Sequence, residues 1–386
     1  MYLFLISFFS IYGGVHLYLF LKVKSAFTFD TRTGIYLILF MLIMVFTPFI
    51  VRLSEKSGLE LIARPMSYIG YTWMGILFLF FSASLVIDLY RLLTYFSAFI
   101  LNLDLTPIRP SARLSFYIPF LLSLSIAAYG YFEANNIRTE RVTIKTSKIP
   151  EEVGSLRIVQ ISDVHLGLIV RERRLKKILE KVKAENPDIL VSTGDLVDGQ
   201  IDRLEGIEDF LKAIVTRYGK FAITGNHEFY AGLDHSMDFT KRAGFTFLRG
   251  EGLTVAGLIN IAGVDDPAGK PYGLFKKISE NKLLSELPRD KFTLFLKHRP
   301  RVDKKAVGLF DLQLSGHSHK GQIFPFSLIT RLYYPVAAGG LKLANDSYLY
   351  VSRGSGTWGP PIRFLSPPEV TVIELVHSTT HGNEIQ

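Results

Sequence analysis

Cysteine is absent from all 386 residues. That excludes disulfides, thiolate metal sites and cysteine nucleophiles, and it leaves the cellular compartment open. Charge is scarce too: charged residues make up 20% against 48% hydrophobic ones, and the mean hydropathy is +0.25. The scarcity is uneven, because no Asp, Glu, Lys or Arg precedes Lys22. A basic leader before this first apolar run is missing, and further apolar runs follow it, so a cleaved signal peptide is not expected. Internal repeats and low-complexity tracts are also absent. Carboxylates are fewer than cations, giving a formal charge of +9. Such an excess points to anionic surroundings, either phospholipid head groups or an anionic substrate. The cations are scattered and no stripe of base-stacking aromatics accompanies them after residue 150, so nucleic acid is not an expected partner.

Four uncharged apolar stretches are present before residue 135, at 2–21, 34–51, 68–87 and 114–132. About 20 apolar residues suffice for a helix to cross the hydrocarbon core. Pro48 and Pro119 would break a soluble helix but are tolerated among bundled membrane helices. Buried core helices of a soluble protein are the competing reading; four such runs separated by short charged loops argue for spans instead. The apolar segment 92–105 is expected as an interfacial continuation of the third helix. His16 is the one titratable group deep in a span, with a hydrogen-bonded packing role as the plain reading and a functional one as its rival. Basic residues are balanced across the two sides. Lys22, Lys24, Arg32, Arg91, Arg109 and Arg113 stand against Arg52, Lys56, Arg64, Arg138, Arg141 and Lys145, so the positive-inside rule does not choose. Without an export-type leader, the expected location is a bacterial inner membrane with the rest of the chain in the cytoplasm.

The composition changes after Glu133. The expected organisation is a transmembrane part over 1–134, a linker over 135–150, an α/β domain over 151–377 and a tail over 378–386. A strand-like run at 141–146 precedes a buried strand at 156–162. Leu175, Ile178, Leu179 and Val182 recur at helical spacing within 171–184, and Asn186-Pro187-Asp188 stops that helix. Further strands are expected at 189–192, 221–224, 254–262, 292–296, 312–314 and 348–351. Strands alternating with helices imply a layered α/β domain.

Chemistry-bearing residues follow the strands. Asp163-Val164-His165 follows the first and Gly194-Asp195-Leu196-Val197-Asp198 the second. Gly225-Asn226-His227-Glu228 comes next, then His298, then Gly316-His317-Ser318-His319. Five of the nine histidines fall in these loops. Strand-end loops are where α/β folds converge side chains on one crevice. Carboxylate, imidazole and amide oxygen suit manganese, iron, zinc or magnesium. A bridging carboxylate can hold two such ions about 3.5–4 Å apart, which suits in-line displacement at phosphorus. Gly194, Gly225 and Gly316 are expected to let the backbone turn sharply. Asp265 and Asp266, before a Pro-Gly-rich loop, are expected as turn residues.

In this order the motifs resemble the calcineurin-like metallophosphoesterase superfamily. The run from Gly225 to Gly232 and the tail from Tyr350 to Pro361 are similar to its bacterial membrane-associated branch, which includes YkuE- and YaeI-type phosphodiesterases. The resemblance implies an α/β sandwich of two mixed sheets flanked by helices, behind a four-helix transmembrane bundle. It implies two divalent ions, with manganese favoured. Asp163, His165, Asp195 and His319 would hold one, and Asp195, Asn226, His298 and His317 the other. His227 would stabilise the transition state or protonate the leaving oxygen. Asp198 and Glu228 would orient ligand imidazoles; for Asp198 a turn or helix cap is the rival reading. Lys320 stands where the branch has glycine; it would hold an extra phosphate or head group, or be a solvated loop lysine. Arg353 and Arg363 would face the substrate. The implied activity is hydrolysis of a phosphodiester or pyrophosphate, with the lipid-linked UDP-2,3-diacylglucosamine as the most concrete substrate. Soluble nucleotides or glycerophosphodiesters are the alternative, and a non-catalytic metal-binding scaffold is the more distant one. A transporter is disfavoured because the spans lack a charged pathway.

Overall fold

The computed structural model describes residues 2–199, 204, 206–379 and 383–385. They divide into two compact units, Met1–Phe132 with Gly359–Ile362, and Glu133–Trp358 with Arg363–Gln386.

The first unit is helical: α1 (Tyr2–Ala26), α2 (Thr31–Lys56), α3 (Glu60–Leu101) and most of α4 (Ala112–Asn135). All four are long and apolar enough to cross a membrane. Each is longer than its uncharged stretch, because charged residues at the ends continue the helix. The segment 57–59, with a turn at Ser57 and Gly58, separates α2 from α3. The apolar segment after Arg91 is continuous with α3 up to Leu101. At 1.5 Å per residue this 42-residue helix is about 63 Å long, roughly twice the hydrocarbon thickness. Tyr12, Leu19, Met41, Val45, Leu77 and Phe80 pack as its core. His16 belongs to that packing. The Trp73 indole donates to His16 Nε2 at 2.9 Å, so the ring proton sits on Nδ1 and is donated to the Tyr12 carbonyl at 2.8 Å. Large apolar side chains elsewhere face outward, as lipid-facing surfaces require.

The second unit has two sheets. The first orders its seven strands β13-β1-β12-β2-β3-β4-β5. These are β1 (Arg138–Thr146), β2 (Ser155–Ile161), β3 (Ile189–Ser192), β4 (Lys220–Ala222), β5 (Thr246–Phe247), β12 (Glu369–His377) and β13 (Glu384–Ile385). The second sheet has six strands in the order β10-β11-β9-β8-β7-β6. Its members are β6 (Glu251–Val255), β7 (Ile259–Gly263), β8 (Phe292–Leu296), β9 (Leu312–Ser315), β10 (Gly339–Lys342) and β11 (Tyr348–Val351). Helices α5 (Glu172–Ala184), α6 (Ile207–Lys212), α7 (Asn226–Ala231), α8 (Leu233–Arg242), α9 (Glu280–Ser285) and α10 (Phe326–Tyr333) complete it.

Period-2 alternation builds the layers. In β2, Leu156 and Ile158 join an inner core with Leu294, Leu312 and Tyr350 of the second sheet. Val159 and Ile161 point the other way, against Leu175, Ile178 and Val182 of α5. Phe295, on the opposite face of β8, packs with Leu283, Leu284 and Phe310.

Two expectations change in detail. The segment 135–150, expected as a linker with a strand-like run at 141–146, contains β1, which starts earlier, at Arg138, and pairs in parallel with β12 along its whole length. The run 254–262 is not one strand but parts of β6 and β7, an antiparallel hairpin. Ala256 and Gly257 both take positive φ, 48° and 71°, and the Leu258 N–H closes the turn on the Val255 carbonyl at 2.8 Å. Alanine at such a turn carries none of the Asn-Gly signal that normally marks it.

Candidate metal centre

The parallel strands β2, β3 and β4 of one sheet and β8 and β9 of the other end on a common crevice, and their C-terminal loops are stitched together. Asp163 N–H donates to the Gly194 carbonyl at 3.0 Å and His165 N–H to the Asp195 carbonyl at 3.0 Å. Gly316 N–H donates to the His298 carbonyl at 2.9 Å. Across the sheets, His317 N–H meets both oxygens of Asp163 at 3.0 Å. Asp163, His165, Asp195, His317 and His319 all adopt positive φ, between 47° and 70°. Such left-handed residues are uncommon outside glycine, and clusters of them mark sites where the surroundings hold a strained backbone. Of the three glycines expected to turn the chain, Gly194 alone has positive φ, 92°. Gly316 is required by crowding instead: a Cβ there would come within 1.9 Å of Ser162 Oγ and 2.2 Å of Asp163 Oδ2.

Among the described residues three donor groups result, each with ligand atoms within 4.8 Å of one another. Asp163, His165 and His319 form one; Asp195, His298 and His317 form another; His165, Asp195 and His227 form the third. Asp195 Oδ2 lies 3.3 Å from His298 Nε2 and 3.8 Å from His165 Nε2. Asn226 joins the second group, its Oδ1 being 3.3 Å from His298 Nε2.

The tautomers test whether a cation fits. His298 Nδ1 is 2.8 Å from the Thr193 carbonyl, so it carries a proton, and a neutral ring then turns its Nε2 lone pair to Asp195. His165 Nδ1 donates likewise to Asp198 at 3.2 Å. The His298 Nε2 lone pair and the Asp195 oxygen 3.3 Å away repel unless a cation or a proton lies between them, so this donor pair fits a cation. His319 differs. Arg363 Nη2 is 3.0 Å from its Nδ1, and a guanidinium only donates, so the neutral His319 ring carries its proton on Nε2. A cation at that atom must displace the proton.

The protein groups alone set strong fields here. Burial would lower His298, but the Asp195 charge and hydrogen bond outweigh it and push the ring up to about 10. His227 is also pushed up to about 10: burial lowers it, while Asp195 and Asp198 raise it further. Burial and then the His298 charge push His317 down to about 2. Burial, followed by the Arg363 charge, holds His319 well below the usual histidine range. Asp195 is held well below the carboxylate range because the His298 and His227 charges overcome its burial.

Asp198 orients imidazoles: its side chain meets His165 at 3.2 Å and His227 Nδ1 at 3.0 Å, and its carbonyl accepts from His227 at 2.8 Å. Glu228 departs from the expectation that it would touch an imidazole. Its carboxylate instead accepts the backbone N–H groups of Asp195, Leu196 and Gly225 at 2.9, 2.8 and 2.6 Å. Arg363 is not open to substrate. It is fully buried and donates to the carbonyls of Arg353, Gly356 and Ser366 besides His319. Arg353 is ion-paired with Glu140 and Glu369 and mostly buried. Lys320 follows His319 directly and is half-buried outside the three donor groups. Asp265 and Asp266 are buried partners of Arg249 and Arg299. Tyr230 and Trp358, not singled out from the sequence as site residues, flank His227 at 5.4 and 6.1 Å between ring centroids. Both lie inside the motif runs 225–232 and 350–361, which was the available signal.

A two-sheet sandwich with a carboxylate–imidazole crevice at its strand ends is the framework of a metal-dependent phosphoester hydrolase. The calcineurin-like phosphoesterase family model matches residues 156–321. An uncharacterized metallophosphoesterase of Aquifex aeolicus is 40% identical over 255 residues, 66% of this chain and 97% of its own. The uncharacterized metallophosphoesterase Cj0846 of Campylobacter jejuni is 32% identical over 336 residues, 86% of this chain and 89% of its own, a span that reaches into the apolar helical unit. YkuE of Bacillus subtilis, also an uncharacterized metallophosphoesterase, is 33% identical over 64% of this chain and 89% of its own. The chain belongs to the calcineurin-like metallophosphoesterase family.

Proposed function

We propose that the protein is a membrane-anchored, dinuclear phosphoesterase that hydrolyses a phosphodiester or pyrophosphate in a lipid-linked substrate. The observation that carries the dinuclear reading is Asp195 Oδ2 between the Nε2 atoms of His165 and His298. Asp163, His165, Asp195 and His319 would hold one divalent ion, and Asp195, Asn226, His298 and His317 the other. Two such ions, manganese by preference, supply Lewis-acid stabilisation of the phosphoryl oxygens and activation of an attacking water. The Asp195 and Asp198 carboxylates push His227 up, and Asp198 fixes its Nδ1–H, so Nε2 is the atom placed to deliver a proton to the leaving oxygen. Glu228 holds the Asp195 loop in register through the backbone. Lys320, a cation beside His319, adds a contact for a second phosphate or head group.

Four helices long enough to span exceed what an anchor needs, which supports a substrate with lipid chains. A nucleotide-linked lipid such as UDP-2,3-diacylglucosamine combines the lipid with a pyrophosphate. We infer a bacterial inner membrane from the bacterial relatives, and a cytoplasmic catalytic unit from the site of nucleotide-linked chemistry. The test is hydrolysis of that lipid by detergent-purified full-length protein with manganese, beside a nitrophenyl phosphodiester. Lipid turnover that is lost in His227→Ala and Asp195→Asn supports the assignment. Turnover of the nitrophenyl diester alone would leave the dinuclear site standing and remove the lipid.

A further inference from the structure

Helix α10 turns its apolar side outward. At 100° per residue, Leu328, Ile329, Leu332 and Tyr333 share one arc, and all four are exposed, Leu332 to 81% and Tyr333 to 69%. Thr330 on the opposite side is buried, and the Tyr334 ring just after the helix packs edge-on against His317 at 5.4 Å. A surface helix of a soluble domain shows water its polar face, so α10 reverses the rule. Phe324 and Leu365 extend the patch: both are exposed, and Phe324 N–H donates at 3.1 Å to the carbonyl of Phe364, next to Leu365. The buried Glu133 carboxylate accepts the Leu365 N–H at 3.1 Å at one edge, and the chain through α10 itself is cationic. No Asp or Glu occurs between Asp311 and Asp346, whereas Lys320, Arg331 and Lys342 lie in that stretch.

We propose that α10 and its flanks are an interfacial element that seats on an anionic bilayer surface beside the catalytic crevice. The same chain carries four helices long and apolar enough to span, so a bilayer is always within its reach. An exposed apolar arc bordered by cations is the chemistry that settles at the head-group boundary, and the cations favour anionic lipid. Ser318, between the two crevice histidines His317 and His319, donates to the Ala337 carbonyl at 2.5 Å, tying the metal loop to the segment that follows α10. A seated α10 therefore brings the crevice to the level of lipid phosphates. This deepens the lipid-linked reading and rests on it only for the nature of the substrate.

The absence of cysteine makes the test direct. Full-length protein is reconstituted in phosphatidylethanolamine vesicles with phosphatidylglycerol, carrying one fluorophore on Ile329→Cys, Leu332→Cys or, as the exposed reference, Val215→Cys. The expected result is loss of iodide quenching and gain of quenching by brominated lipid at 329 and 332, with iodide quenching retained at 215. Iodide quenching at 329 and 332 equal to that at 215 would overturn the proposal. So would protection from iodide without any brominated-lipid effect, which would mean a protein partner or a second copy covers the helix. A second arm substitutes Leu328→Glu together with Leu332→Glu. Turnover of a vesicle-embedded lipid substrate should fall while a soluble nitrophenyl diester is hydrolysed as before; equal loss on both would count against docking. The quenching arm reads lipid contact without turnover, so it stands or falls separately from the substrate assignment.

Discussion

The Glu228 carboxylate accepts the backbone N–H of Asp195 at 2.9 Å, and the same group takes the N–H groups of Leu196 and Gly225. One buried side chain thus clamps the loops after β3 and β4, which carry Asp195 and Asn226. Glu228→Gln replaces an acceptor oxygen with a donor facing N–H groups. A buried amide left without a partner costs about 1–3 kcal/mol, and loosened support for a ligand typically costs about 10–100-fold in metal affinity. The variant should melt lower and lose manganese on dialysis although no ligand atom has been removed. Wild-type metal retention would show that Glu228 is not the clamp.

Arg363 supports the opposite side of the crevice. Its guanidinium donates to four carbonyls, those of Arg353, Gly354, Gly356 and Ser366, and to His319 Nδ1, a fork that lysine, with donors at one point, does not reproduce. Arg363→Lys should lower the melting temperature, each orphaned carbonyl costing about 1–3 kcal/mol. It should also free the His319 tautomer, which nitrogen-15 imidazole spectra read directly: the Nε2–H form in the native chain, a mixture in the variant. An unchanged spectrum would mean that the contact with Arg363 does not set the tautomer.

Metal loading should depend on pH with a defined sign. His298 is pushed up to about 10 by its carboxylate neighbours, so at neutral pH a proton occupies the position a cation needs. Cation and proton compete, and affinity therefore rises as pH rises toward 10, by up to about tenfold per pH unit for each proton displaced. His317, pushed down to about 2, is already neutral and adds nothing. Calorimetry at about pH 7 in two buffers of different ionisation heat should report proton release on manganese binding. No buffer dependence would contradict the protonated His298.

Much of this site was legible in advance because each chemical residue sits directly beyond a short buried strand, where periodicity and turn residues are plain. Supporting roles were less legible. Glu228 acts through backbone amides, and Arg363 stands among tail residues where nothing local distinguishes a buried guanidinium from a substrate contact. In the fold, β6 and β7 merged into one run because Ala256 occupies a turn position that sequence signals assign to asparagine. The spans read short because helices continue past the last uncharged residue, as α3 does through Asp88 and Arg91.

The sharing of Asp195 yields the strictest test of two ions. Its Oδ2 stands between His298 and His165, members of different donor groups, while His317 belongs to one group alone. Asp195→Asn removes the negative charge common to both positions, so metal content should fall from about two ions per chain toward zero. His317→Ala removes one neutral ligand from one position, and content should fall to about one. Both variants should lose at least about 100-fold in turnover of a nitrophenyl diester, since each position contributes several kcal/mol of transition-state stabilisation. Elemental analysis of the dialysed proteins separates the cases. Equal stoichiometry in the two variants would mean that Asp195 serves a single ion, and the bridging role would then have to be abandoned even if activity is lost.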